Sequence, residues 1–213
     1  MHPNDRCTTV AEFDDDVTEG LQRRARDEDG KSILVPQDMS YNEWKEKYVD
    51  KQYMDITEQI LNKGKQKYKL IEKEYFTDEN GTKYIVDNKS IKIKANENER
   101  KIANIMGEIF GGKIELIPVV LKPKGIQTPD YMINGEKFDL KEVYGNGKNT
   151  LDTAINKKKK QSSNFIFDIS KTEMNKGKAT KQIERIYESK HRDWINRIIL
   201  IENDEILKIY KRK

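Results

Sequence analysis

The sequence predicts an α/β fold: a mixed central sheet flanked by helices over about residues 95–213, preceded by a polar and partly helical extension. Apolar residues recur at helical spacing in some segments and alternate or run together in others, in the order α-β-β-β-α-β-α-β-β, which implies a sheet with helices against it. The pair Asn134-Gly135 between two apolar runs marks a tight hairpin inside that sheet. Of the 213 residues 37% are charged and 35% hydrophobic. An average domain is roughly 25% charged, so the core is a small one with long polar additions.

Residues 1–40 hold Asp14-Asp15-Asp16, Arg23-Arg24 and Asp27-Glu28-Asp29-Gly30 with few periodic apolar positions, and read as an acidic tail or linker. A Ser-x-x-Glu box at Ser40 and Glu43 opens a helix carrying Trp44, Tyr48, Tyr53, Ile56, Ile60 and Leu61 and ending near Gly64. Leu70 to Tyr75 and Thr82 to Val86 then alternate around Asp78-Glu79-Asn80-Gly81, as a β-hairpin does. Residues 41–94 are thus a helix-plus-hairpin linker region. From residue 95, Ile102, Ala103, Ile105, Met106, Ile109 and Phe110 form a helical stripe stopped by Gly111-Gly112. Strands are expected at Lys113–Leu121, Tyr131–Ile133 and Lys137–Tyr144, a helix at Thr150–Gln161, and a strand at Asn164–Ser170. A helix at Ala179–Ser189 and strands at Arg197–Glu202 and Ile206–Tyr210 complete the domain.

Several function classes fall away at once. A single cysteine, Cys7, rules out an internal disulfide, and one Cys with two His rules out a Cys/His zinc site, so any metal would be held by carboxylates. No stretch approaches the roughly 18 apolar residues of a membrane helix, and the N-terminus lacks an apolar leader, so a soluble protein without a membrane partner is expected. Charge is graded along the chain: residues 1–40 carry 5 Lys/Arg against 10 Asp/Glu, residues 41–143 carry 19 against 18, and residues 144–213 carry 17 against 9. The C-terminal third is where a polyanion would be drawn, although lysine enrichment of a solvated surface gives the same gradient.

The segment Pro129-Asp130-Tyr131-Met132-Ile133-Asn134-Gly135-Glu136-Lys137-Phe138-Asp139-Leu140-Lys141 is the most informative. With Asn134-Gly135 as a two-residue type I′ turn, Ile133 faces Glu136, Met132 faces Lys137, Tyr131 faces Phe138, and Asp130 faces Asp139. Alternation puts Tyr131, Ile133, Phe138 and Leu140 on a core face and Asp130, Met132, Asp139 and Lys141 on the other. Opposed like charges destabilise a strand pair. A divalent cation between them reverses that cost, and Lys141 beside it could contact a phosphate. The other reading leaves both aspartates solvated on an open face, with Lys141 neutralising Asp139.

Pro129-Asp130 followed by Asp139-Leu140-Lys141 on the next strand, after one helix and before another, resembles the PD-(D/E)xK nuclease core. The wording is more closely similar to the C-terminal tRNA-nuclease toxin domain of contact-dependent-inhibition (CdiA-type) proteins, over roughly residues 95–213. That resemblance implies metal binding by Asp130, Asp139 and a helix glutamate, with Lys141 assisting attack by water. Glu99 is the glutamate candidate because it stands on the apolar stripe, although Asn96 and Glu99 also have the spacing of a capping box. Gly145-Asn146-Gly147-Lys148-Asn149-Thr150 is a loop entering a helix, so Lys148 is a candidate phosphate contact. In the resembled toxins a Lys and a Gln at the end of that helix border the active site, which points to Lys158 and Gln161. The resemblance further implies a divalent ion, Mg²⁺ or else Mn²⁺ or Zn²⁺, cleavage of phosphodiester bonds in RNA and above all tRNA, and a cognate immunity protein. It also implies action in the bacterial cytoplasm after delivery to a target cell. A DNA endonuclease of the same fold, or a non-catalytic nucleic-acid-binding structural protein of a phage or mobile element, are the alternatives. Separately, His2-Pro3-Asn4-Asp5-Arg6-Cys7-Thr8-Thr9 is similar to the end of Mu F-like phage head-morphogenesis proteins, which implies a toxin domain appended to such a region over residues 1–40, with phage or mobile-element particle proteins as further partners.

Overall fold

The computed structural model describes residues 21–27, 30–45, 48, 51–156, 158–159 and 161–213. The His2–Thr9 motif and the Asp14–Asp16 run lie outside them. The chain divides into two compact units, Met1–Lys51 and Gln52–Lys213.

In the first unit, β1 (Gln22–Arg26) pairs antiparallel with β2 (Ser32–Pro36). This hairpin stands where the sequence reads as a tail; its turn uses Asp27 and Gly30, and Asp27 Oδ1 accepts the Lys31 N–H at 2.8 Å. A short helix, α1 (Tyr41–Trp44), follows with the expected capping box: Glu43 N–H donates to Ser40 Oγ and Ser40 N–H to the Glu43 carboxylate.

The second unit is built on an eight-stranded mixed sheet of order β3-β14-β13-β12-β11-β10-β8-β4. Its first members correct the expected helix through Leu61. The chain instead forms β3 (Tyr53–Asp55), antiparallel to β14 (Glu205–Arg212), and then α2 (Thr57–Leu61). Tertiary packing overrides helical periodicity here: the Tyr53 ring stacks on Tyr187 at 5.1 Å and meets Tyr210 edge-on at 5.6 Å. Likewise β4 (Tyr68–Glu72) leaves the expected hairpin to pair in parallel with β8 (Gly112–Leu116), and the hairpin that remains is β5 (Tyr75–Thr77) with β6 (Lys83–Ile85). Both outer strands of the sheet therefore come from residues 41–94, ahead of the boundary expected at residue 95.

Next come β7 (Ile91–Lys92) and α3 (Glu97–Phe110). The strand expected over 113–121 is cut at Pro118, which cannot donate to a ladder, and β9 (Val119–Val120) turns away to pair with β7. The turn between β10 (Tyr131–Ile133) and β11 (Glu136–Glu142) has φ of 50° at Asn134 and 87° at Gly135, the type I′ pattern, and the register is the expected one. Asn134 also braces the neighbouring strand: its Oδ1 accepts Lys113 N–H at 2.8 Å, and a Cβ on Gly112 would fall 2.2 Å from that oxygen. Only glycine fits there.

The last segments are α4 (Thr150–Ile155), β12 (Asn164–Asp168), α5 (Lys176–Glu188), β13 (Arg197–Glu202) and β14. β11, β12 and β13 run parallel. α4 stops well before Gln161 because Asn156 leaves helical geometry, at ψ 135°. One core lies between α3 and the sheet face bearing Tyr131, Phe138 and Ile199; the other lies between α4, α5 and the face bearing Phe165, Phe167 and Leu200. Among the described residues no helix is long and apolar enough to cross a membrane.

Candidate active site

Strand alternation delivers the aspartates to one place. Tyr131 and Phe138 belong to the α3-side core, so Asp130 and Asp139 point to the α4/α5 side, where Asp139 is in register with Phe165 and Lys141 with Phe167. The regular ladder ends at Tyr131 opposite Phe138. Asp130 N–H donates to the Phe138 O at 3.1 Å, and the Asp130 carboxylate lies close enough to Asp139 for that charge to act on it. Asp139 is 0% exposed. That removes the reading in which both aspartates are solvated, although Lys141 does neutralise Asp139, its Nζ pairing with Asp139 Oδ2.

The groups around the pair are held in place by defined partners. The Leu140 N–H donates to Asp130 Oδ2 at 2.7 Å, orienting that carboxylate. Gln161 is also buried, and its amide nitrogen donates both to Asp139 Oδ1 and, at 2.6 Å, to the carbonyl of Thr128. The glutamine thus joins the Asp139 carboxylate to the segment that enters Pro129-Asp130. Burial, and secondarily the charge of Asp139, push the Asp130 carboxyl up to about 7, against the pull of the Leu140 N–H and of Lys141. A fully buried carboxylate and a partly buried one therefore share a site with one ammonium.

The other expected residues are placed differently. Glu99 is in the capping box of α3, accepting the Asn96 N–H at 2.8 Å, while its charge still adds to the rise at Asp130. Among the described residues no three His, Cys, Asp or Glu side chains gather closely enough to hold one ion. The donors offered to a divalent ion are those of Asp130 and Asp139. They fit one chemically: hard carboxylate oxygens, mutually repelling, with compensating positive charge already drawn in from Lys141. Lys158 lies half-buried in the turn before Gln161, its carbonyl accepting the Gln161 N–H at 2.8 Å, and its ammonium has no bond to either aspartate. Lys157 and Lys160 lie outside the described residues. Lys148 lines a different cleft, between α4 and α5.

A polar cleft of about 340 Å³ opens beside Gln161 and is lined by Lys137, Lys159, Ser162 and Asn164 among others. Two partners in the site had no sequence signal. The Thr128 carbonyl and the Leu140 N–H act through the backbone, which any residue supplies.

No curated protein matches the chain. Among solved structures it is similar to a chain of the CdiA-CT/CdiI toxin and immunity complex from Burkholderia pseudomallei, with 23% identity over 56% of this chain and 90% of that chain and a TM-score of 0.37. Residues 127–206, the segment from the entry to Asp130 into the start of β14, match the family of the contact-dependent growth inhibition CdiA C-terminal domain.

Proposed function

We propose that the protein is a metal-dependent endonuclease toxin that hydrolyses phosphodiester bonds in RNA, tRNA above all. The observation that carries the reading is the Asp130/Asp139/Lys141 constellation: two interacting carboxylates drawn into the fold, one just before β10 and one on β11, with an ammonium two residues along. The match of residues 127–206 to a contact-dependent inhibition toxin domain supports it. The residues that would hold the ion are Asp130 and Asp139, with Glu99 a further carboxylate whose charge acts on Asp130. When bound, a divalent ion polarises a phosphate and lowers the pKa of water. This chain's residues supply the rest. Leu140 N–H and the Gln161 amide hold the two carboxylates in fixed orientations, so little reorganisation is needed when substrate arrives. Lys141, beside Asp139 on the same strand, would neutralise charge growing on the phosphoryl oxygens. Burial on the sheet limits competing water.

The solved relative is a toxin and immunity complex, and a cognate immunity protein is part of the proposal for this chain, as is action in the cytoplasm of a target cell. The test is incubation of purified protein with total RNA, a tRNA pool and plasmid DNA, with Mg²⁺, Mn²⁺ or Zn²⁺ and with chelator. Ion-dependent cleavage of tRNA is expected. Cleavage of plasmid alone would move the substrate to DNA, and no cleavage of any of them with any ion would overturn the nuclease reading.

A further inference from the structure

The cations of the fold differ in whether an acid already holds them. Around α3 and the β4–β8 edge several are held by acids: Arg100 by Glu72 at 2.7 Å, Lys65 by Glu108 at 2.8 Å, Lys113 by Glu115 at 2.8 Å, and Lys101 by Asp204, while Lys67 and Lys69 are exposed without one among the described residues. On the α4/α5 side, Lys148, Lys176, Lys181 and Arg185 are all exposed, and no carboxylate among the described residues lies within ion-pair distance of them. The acids of α5, Glu184 and Glu188, act instead on Tyr53.

Two of those cations meet at a cleft of about 210 Å³ lined by Lys148, Asn149, Asp152, Gln182, Arg185 and Ser189. Its one acid is already neutralised, since Arg192 binds both oxygens of Asp152 at 2.6 and 3.0 Å. The loop that carries Lys148 is fixed onto α5 and the chain before it. Thr172 Oγ donates to Gly145 O at 2.8 Å, Lys178 Nζ to Asn146 Oδ1 at 2.6 Å, and Gln182 Nε2 to Gly147 O at 3.0 Å. These bonds satisfy the loop's carbonyls and leave the Lys148 ammonium without a partner among the described residues, at the mouth of the cleft. The loop begins just past Lys141 on the same strand, and the cleft lies on the side of the sheet toward which Asp139 points.

Resting on the nuclease reading, we propose that this α4/α5 cleft, with Lys148 and Arg185 at its mouth, seats the sugar–phosphate backbone of the nucleic acid next to the bond that is cut. Unpaired cations on a rigid frame gain most from a polyanion, because binding releases its counterions without first breaking an ion pair. The ligand is the phosphate backbone, common to RNA and DNA, and the cleft contributes position, not sequence readout.

The experiment measures binding apart from cutting. Fluorescently labelled tRNA and a single-stranded DNA oligonucleotide are titrated with the full chain in chelator at several salt concentrations, using the parent, K148A/R185A, and the control K65A/K101A on the α3 face. Every phosphate that the protein no longer neutralises lowers the slope of log K against log salt by about 0.7–0.9, so K148A/R185A should flatten it by roughly 1.5 and the control should leave it unchanged. A slope unchanged in K148A/R185A, or an equal flattening in the control, overturns the proposal, even if the parent cuts tRNA in Mg²⁺. A slope flattened in K148A/R185A, with a parent that cuts nothing, upholds the cleft as a backbone seat while the nuclease reading falls. Matching melting curves for the parent and both variants exclude misfolding.

Discussion

Replacing Asp130 by Asn should make the protein more stable above neutral pH and leave it unchanged in acid. The amide keeps an oxygen to accept the Leu140 N–H and removes only the charge that faces Asp139. In the folded protein the Asp130 carboxyl is pushed from its usual 3.8 up to about 7, so between those values the native state holds a proton that the unfolded chain has released. The associated stability is present in full below about pH 4 and is lost as pH rises through about 7. Each tenfold change in proton affinity is about 1.4 kcal/mol, so the whole rise corresponds to on the order of 4 kcal/mol, and about 3 kcal/mol of it falls between pH 5 and pH 8. For a chain of this size that is a difference of roughly 6–12 °C in Tm. Carboxylates that the fold favours in ionised form, such as Asp87, lowered to about 2 by backbone N–H groups, contribute in the opposite sense, with stability lost as pH falls. They are common to parent and variant and cancel in the difference. The assay is thermal unfolding followed by circular dichroism in chelator across that range. Parallel pH profiles for parent and Asp130→Asn would refute a buried Asp130 carboxyl raised by its surroundings.

Other substitutions probe the rest of the site and the extent of the sheet. Lys141→Met leaves the buried Asp139 without its cation and should cost about 3–5 kcal/mol, most of it recovered in Asp139→Asn/Lys141→Met; urea denaturation decides, and a parent-like midpoint for the single variant contradicts the pairing. In the proposed mechanism the same change also lowers the cleavage rate by about 10²–10³, read with a tRNA pool at a temperature where the variant is folded. Gln161→Leu removes the bonds to Asp139 and Thr128 and should destabilise by about 1–3 kcal/mol, whereas a neutral result would mean the amide holds neither. A fragment of residues 52–213 should melt cooperatively, while one beginning near residue 90 loses both outer strands and should not; equal cooperativity would make β3 and β4 dispensable.

Short-range geometry was legible before the fold was known. The type I′ turn at Asn134-Gly135, the register of Tyr131–Ile133 against Glu136–Phe138, the capping boxes at Ser40 and Asn96, and, apart from the strand broken at Pro118, the order of elements beyond residue 95 all follow from groups a few residues apart, whose geometry short chain segments dictate. The choice between a solvated aspartate pair and one drawn into the fold was not local, because alternation assigns a face but not what covers it. Tertiary structure decided that: Gln161, separated from Asp139 by 22 residues, closes over the carboxylate once α4 ends early at Asn156. Distance along the chain likewise hid the outer strands. Tyr53 and Leu70 sit in segments whose spacing suits a helix and a hairpin, and only the open edges of β14 and β8, formed by residues far along the chain, offer the backbone hydrogen bonds and apolar cover that draw them into the sheet.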